Sequence, residues 1–293
     1  MIRSRARRGL GGTEVLQISN GVLRLRMAPE FGARITELTD LRSGRNWIVP
    51  KESPEGATGD RSEAKAEGAS YIDARPDGWD ECFPTVAPCA VPAWGGALRD
   101  HGALWARPWT CTATPTRLTA THDNPRFRFR RTLRLAGDHV LLRYSLTSRH
   151  IAPLPWIWSQ HCLLACRPGE RIEAAGIGAW QDAAGQEVTP GPVLPSSAQV
   201  AGKYFAKVID RARVALGGPQ GRFEISWRRR DAACVGLWFS YGGWPVDAPL
   251  YQLGIEPATA PFDRLSEATE AGAVAWLRPG EMVTWCCRFR VTC

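Results

Sequence analysis

Apolar residues in this chain fall at every second position in run after run, the spacing of half-buried strands. Val15–Ile18, Val22–Met27 and Ala33–Leu38 read as a β-meander, with Asn20-Gly21 as the first hairpin turn. Ser43-Gly44-Arg45 turns the chain again before Asn46–Val49. Between Arg126 and Leu135, Phe127 and Phe129 alternate with Arg126, Arg128 and Arg130, which predicts one buried and one basic face. With Thr110–Thr121 and His139–Leu146, that segment predicts three consecutive antiparallel strands. Further strands are predicted over 205–209, 213–216, 222–227, 234–241, 273–277 and 282–291, and Arg278–Glu281 is read as the turn that pairs the last two.

Composition sharpens this all-β picture. The 29 Gly and 22 Pro are spread along the whole length, which suits many short strands joined by turns. Hydrophobic residues make up 44% of 293 and include 13 Trp, enough for a large core; with no repeat and no linker, 1–293 reads as one domain. The basic segment 1–12, with Arg3, Arg5, Arg7 and Arg8, is expected to be a frayed, solvated terminus. Residues 51–70 are polar and without apolar periodicity, and are expected to form a long loop.

The net charge of +8 is almost entirely arginine, and no nucleic-acid-binding pattern accompanies it. No stretch of about 18 apolar residues occurs, and arginines rather than an apolar region follow Met1. Nine scattered cysteines lack zinc-site spacing and fit thiols in a reducing compartment. These features lead to the expectation of a cytoplasmic protein, monomer or homodimer, with neither nucleic acid nor membrane as partner. P-loop, GxGxxG, HExxH and GxSxG motifs are absent.

Three segments carry candidate chemistry. His101 follows Asp100 and precedes Gly102, with Trp105 and Trp109 close behind; taken alone it fits a turn histidine bonded to Asp100. His161 ends the aromatic run Trp156–Gln160, where a core histidine and an acid–base group are both possible readings. Glu256 lies in the apolar run Tyr251–Pro257, where an unpaired carboxylate is costly and a buried salt bridge is the alternative. Trp79, Asp80 and Glu81 form a paired-acid segment beside aromatics, suited to sugar hydroxyls or to a turn cap, and Trp244 follows a Gly-Gly pair that could present it at a cavity rim. His122, His139 and His150 sit among charged residues at turns or strand ends and receive no role.

Taken in order, Gly32–Ile35, Asp40–Arg45, His101-Gly102, His161, Gly254–Pro257 and Leu277–Glu281 resemble the aldose 1-epimerase (galactose mutarotase-like) superfamily over most of the chain. The resemblance implies a large antiparallel β-sandwich, a supersandwich with an open sugar-binding cleft. It also implies interconversion of the anomers of a free hexose or related aldose. Glu256 would take the proton of the anomeric hydroxyl, His161 would protonate the ring oxygen, and His101 would orient the sugar; no cofactor is needed. An ionised Glu256 is expected to raise the pKa of His161 and keep it charged. Trp105 and Trp244 would offer stacking faces, while Trp79, Asp80, Glu81 and Arg34 would contact the ligand. The chain departs from the family in Asp80–Pro88, which lacks the arginine that precedes the first histidine in neutral-hexose enzymes, so Asp80 and Glu81 are candidate replacements.

Two other classes compete with this reading. One is a sugar-binding protein without turnover. The other is a glycoside hydrolase or lyase, which would need Asp80 or Glu81 as a second carboxylate opposite Glu256. The arginine surplus adds an anionic-sugar variant, with Arg34, Arg99 and Arg107 as candidate contacts.

Overall fold

The computed structural model describes residues 5–8, 14–50, 68–73 and 77–293. Two large antiparallel sheet layers enclose a core of Leu, Val, Phe and Trp side chains. One layer runs from Glu14–Ser19 through Leu23–Ala28, Arg34–Asp40, Trp79–Cys82, Ser159–Leu164 and Tyr251–Ala258 to Cys234–Tyr241. The other is built on Arg117–Asp123, Phe127–Ala136, His139–Ser148, Met282–Thr292 and Gly221–Arg228. The strand Val200–Gly218 belongs to both. Its first half pairs with Cys234–Tyr241 and its second half with Gly221–Arg228, so the two predicted strands at 205–209 and 213–216 are one continuous strand. The only α-helix among the described residues is Leu265–Glu270, and no described helix is long and apolar enough to cross a membrane.

The all-β expectation holds, with corrections at particular places. The run Thr110–Thr121 is a hairpin, Thr110–Thr114 against Arg117–Asp123, because Pro115 has no N–H with which to continue a paired strand. Ala275–Leu277 does not pair with the final strand across the Pro279-Gly280 turn. It pairs with Leu154–Trp156, while His139–Ser148 occupies the edge of Met282–Thr292 from Met282 to Arg290. Arg5–Arg8 pairs with Glu14–Ser19, whose open edge offers backbone donors and acceptors. Of the loop expected at 51–70, residues 51–67 lie outside the described residues, and 68–70 lead into the turn that carries Tyr71.

In Phe127–Ala136 the alternation places Arg131 on the inner face with Phe127, Phe129 and Leu133. Its guanidinium meets Glu81 from the facing layer at 2.8 Å, with both side chains fully buried. The core thus contains an ion pair.

Candidate functional site

Strand register assembles the site. Ser159 pairs with Ala258 and Leu163 with Gly254, so His161 and Glu256 stand directly opposite each other and point to the same side. Asp80 flanks His161 on the next strand, and Gly236 flanks Glu256. All four sit on the face turned away from the aromatic core, beneath the turn that carries Tyr71 and the segment that carries His101. Both faces of these central strands are covered, so Ser159–Leu164 is buried throughout and lacks a period-two pattern.

His161 and Glu256, from the middle of this row, line a cavity of about 460 Å³ together with His101, Lys203, Trp238 and Trp244, with Tyr71, Asp100, Gln252 and Asp263 around them. His161 Nε2 is 3.6 Å from Glu256 Oε1, beyond hydrogen-bonding distance, and that oxygen has no hydrogen-bond partner among the described residues. The other oxygen, Oε2, lies 2.9 Å from Lys203 Nζ, which also reaches Asp263 Oδ1 at 2.7 Å. Two glycines make room for the carboxylate. A Cβ on Gly236 would sit 3.0 Å from Oε2, and one on Gly254 would sit 3.1 Å from Oε1.

His101 approaches from the opposite wall. Its Nδ1 bonds Asp100 Oδ1 at 2.7 Å, as the turn-histidine reading anticipated, and the His101 and His161 rings meet edge to face at 4.9 Å. The backbone of His101 is left-handed (φ 56°), and the next residue must be glycine because a Cβ on Gly102 would lie 2.1 Å from the Phe83 carbonyl oxygen. Tyr71 stacks on His101 at 3.9 Å, donates its hydroxyl proton to Asp80 Oδ2 at 2.7 Å, and lies 3.4 Å from His161 Nδ1. Asp80 is held from below by Arg34 Nη2 at 2.6 Å.

The electrostatics differ from expectation. Burial drives the His161 imidazole well below its ordinary pKa, and the neighbouring His101, Lys203 and Arg34 push the same way. Burial also raises the Glu256 carboxyl, with Asp263, against the opposing pull of Lys203. The expected raising of His161 by Glu256 is therefore corrected: Glu256 directs one oxygen to Lys203 instead of bonding His161. Although burial pushes the Asp100 carboxyl up, the hydrogen bond from His101 holds it below the ordinary value.

Of the residues singled out in the sequence, His101, His161, Glu256 and Trp244 line the cavity, Trp244 at the rim and 41% exposed. Trp79, Asp80, Glu81, Arg34 and Trp105 are buried outside its lining. Strand alternation sends Asp80 and Glu81 to opposite faces of the sheet. Asp80 lies behind Tyr71, while Glu81 accepts hydrogen bonds in the core from Arg131, Tyr144 and Trp158. Trp79 packs on Phe289 in that same core. Trp105 is fully buried, with Tyr71 T-shaped to it at 5.0 Å and the Arg99 guanidinium over its ring at 4.3 Å, so it offers no stacking face to a ligand. Arg34 is neutralised by Asp77 and Asp80, and neither Arg99 nor Arg107 lines the cavity. Tyr71, Lys203 and Asp263 were missed. Tyr71 carries no local signal, but Lys203 is one of only four lysines in a chain dominated by arginine.

No protein-family model matches the sequence, and no curated protein matches it. Solved structures match over nearly its full length. A galactose mutarotase-like protein from Clostridium acetobutylicum superposes with TM-score 0.71 at 12% identity, covering 99% of this chain and 98% of its own. A galactose mutarotase related enzyme from Lactobacillus acidophilus gives TM-score 0.67 at 13% identity, covering 94% and 96%. A protein from Escherichia coli K12, provisionally described as an aldose 1-epimerase, gives TM-score 0.67 at 18% identity, covering 96% and 99%. At such identities the likeness is one of architecture: the chain has the galactose mutarotase-like β-sandwich fold.

Proposed function

We propose that the protein is a mutarotase-type isomerase that exchanges the anomers of a free aldose by acid–base ring opening and reclosure. The observation that carries this reading is the Glu256–His161 pair, 3.6 Å apart among the residues that line the cavity, with one carboxylate oxygen that has no hydrogen-bond partner among the described residues. A sugar whose anomeric hydroxyl meets one group and whose ring oxygen meets the other can lose a proton to the first and gain a proton from the second. The C1–O5 bond then breaks, the aldehyde forms, C1 rotates, and the reverse transfers close the ring on the other face. Burial favours the neutral form of both groups, so the pair functions while it carries one proton in total, whichever partner holds it. Each transfer contributes about 10²–10⁴-fold.

The lining favours a neutral sugar. Lys203 is its only lysine or arginine among the described residues, and it is already shared between two carboxylates. An anionic sugar would also face Asp100, Glu256 and Asp263. The hydrolase reading loses its candidate second carboxylates, because Asp80 and Glu81 are buried outside the cavity. Anomer exchange measured by magnetisation-transfer NMR on neutral, uronic and phosphorylated aldoses tests the proposal. Acceleration confined to neutral sugars is expected. Ligand binding without acceleration on any of them would replace it with the sugar-binding reading.

A substitution at Gly236 probes the seat of the carboxylate. The added Cβ of Gly236→Ala would press on Glu256 Oε2 at 3.0 Å and on Lys203 Cε at 3.3 Å, with no left-handed backbone to strain. Exchange should fall roughly tenfold from a displacement of a few tenths of an ångström, while thermal unfolding barely moves. An unchanged rate would show that the position of Oε2 is not critical.

A further inference from the structure

We propose that Lys203, tethered by Asp263, sets the pH window in which the Glu256–His161 pair carries its single working proton. This rests on the mutarotase reading for its catalytic consequence, but the charge arrangement stands on geometry alone. Strand pairing of Lys203 with Trp238, and of Trp238 with Gly254, places the lysine one row from Glu256 on the same face of the sheet. The missing side chains at Gly236 and Gly254 leave the path between them open. Nζ then bridges Glu256 Oε2 at 2.9 Å and Asp263 Oδ1 at 2.7 Å. The tether is itself fixed, because the backbone carbonyl of Asp263 accepts hydrogen bonds from Val86 N at 2.9 Å and Ala87 N at 2.7 Å.

A buried carboxylate and a buried imidazole side by side both drift toward neutrality. A fixed ammonium beside them works against protonation of either one, so it lowers both macroscopic pKa values of the pair. Although burial pulls the Lys203 ammonium down, Glu256 and Asp263 hold it above its ordinary value, so the charge persists throughout the working range. The other charged or titratable groups near Glu256 are His101 and the buried thiols of Cys82 and Cys162, which burial keeps protonated. Around His161 they are His101, Arg34, the Tyr71 hydroxyl and, on the adjacent strand, Asp80, which is paired with Arg34. Of all these groups, Lys203 alone contacts both Glu256 and an anion open to solvent.

The sign follows directly. Removing the cation in Lys203→Met should move both limbs of the pH–rate profile for anomer exchange upward, by about one pH unit or more. Lys203→Arg keeps the charge and should stay near wild type. Asp263→Asn removes an anion, leaves the backbone contacts in place, and should move the acid limb the opposite way, to lower pH. His161 ring titration by NMR, compared between wild type and Lys203→Met, reads the same shift without any turnover. Upward movement of that titration supports the proposal even if no sugar is turned over, in which case only the mutarotase reading fails. A His161 titration unmoved in Lys203→Met, or a rate reduced equally at every pH with both limbs in place, would overturn it and leave Lys203 a structural residue. If Lys203→Met does not fold, the direction of the Asp263→Asn shift decides.

Discussion

Glu256→Gln is expected to slow anomer exchange by about 10²–10⁴-fold while the protein keeps its fold. The amide has the shape of the carboxylate and still fits between Gly236 and Gly254, but it cannot take up a proton. Lys203 loses one partner and keeps Asp263 at 2.7 Å, so no buried cation is left unpaired. His161→Gln should produce a loss of similar size. Because the two groups share one proton, the double variant should lose little more than either single one. Circular dichroism and the unfolding midpoint check the fold, and magnetisation transfer reads the rate. Exchange at the wild-type rate in Glu256→Gln would remove Glu256 from the mechanism, since no other carboxylate faces His161 this closely among the described residues.

The largest effect on stability is expected away from the cavity, at Arg131. Replacing it with Met leaves the Glu81 carboxylate in the core with only Tyr144 and Trp158 as donors. Breaking one half of a fully buried ion pair costs about 3–5 kcal/mol, which corresponds to a drop on the order of 10 °C in the unfolding midpoint. Burial already raises the Glu81 carboxyl against the pull of Arg131, and without the arginine it rises further. Above the unfolded carboxyl value the native state of the variant then holds more protons than the unfolded state, so its stability falls as pH rises. The deficit relative to wild type should therefore be smallest in acid. Pairing Arg131→Met with Glu81→Gln removes the orphaned charge and should recover a large share of the loss. A midpoint for Arg131→Met within about 2 °C of wild type would show that Glu81 is neutral in the native protein. Neither outcome touches the cavity, so exchange by whatever fraction stays folded should be unaffected.

Strand identity was legible where one face of a strand meets solvent. The outer strands around Phe127 and Phe129 alternate cleanly, and their existence and pairing follow from that pattern. The central strands are covered on both faces, so Ser159–Leu164 carries no alternation from which to read which way His161 points. His161, Glu256 and His101 could be singled out because each is a polar group in apolar or aromatic surroundings, where the cost of burial flags it. Asp80 and Glu81 show where such reasoning ends. They are adjacent in sequence, but a strand turns neighbours to opposite faces, and one supports the cavity wall while the other pairs with Arg131 in the core. Lys203 is 53 residues from Glu256 in sequence, yet reaches its carboxylate at 2.9 Å because register aligns their strands. Side-chain chemistry and strand propensity are local properties that each segment carries with it. Facing, proximity and the charge state of a buried group depend on which strands pair and in what register, and only the folded chain settles that.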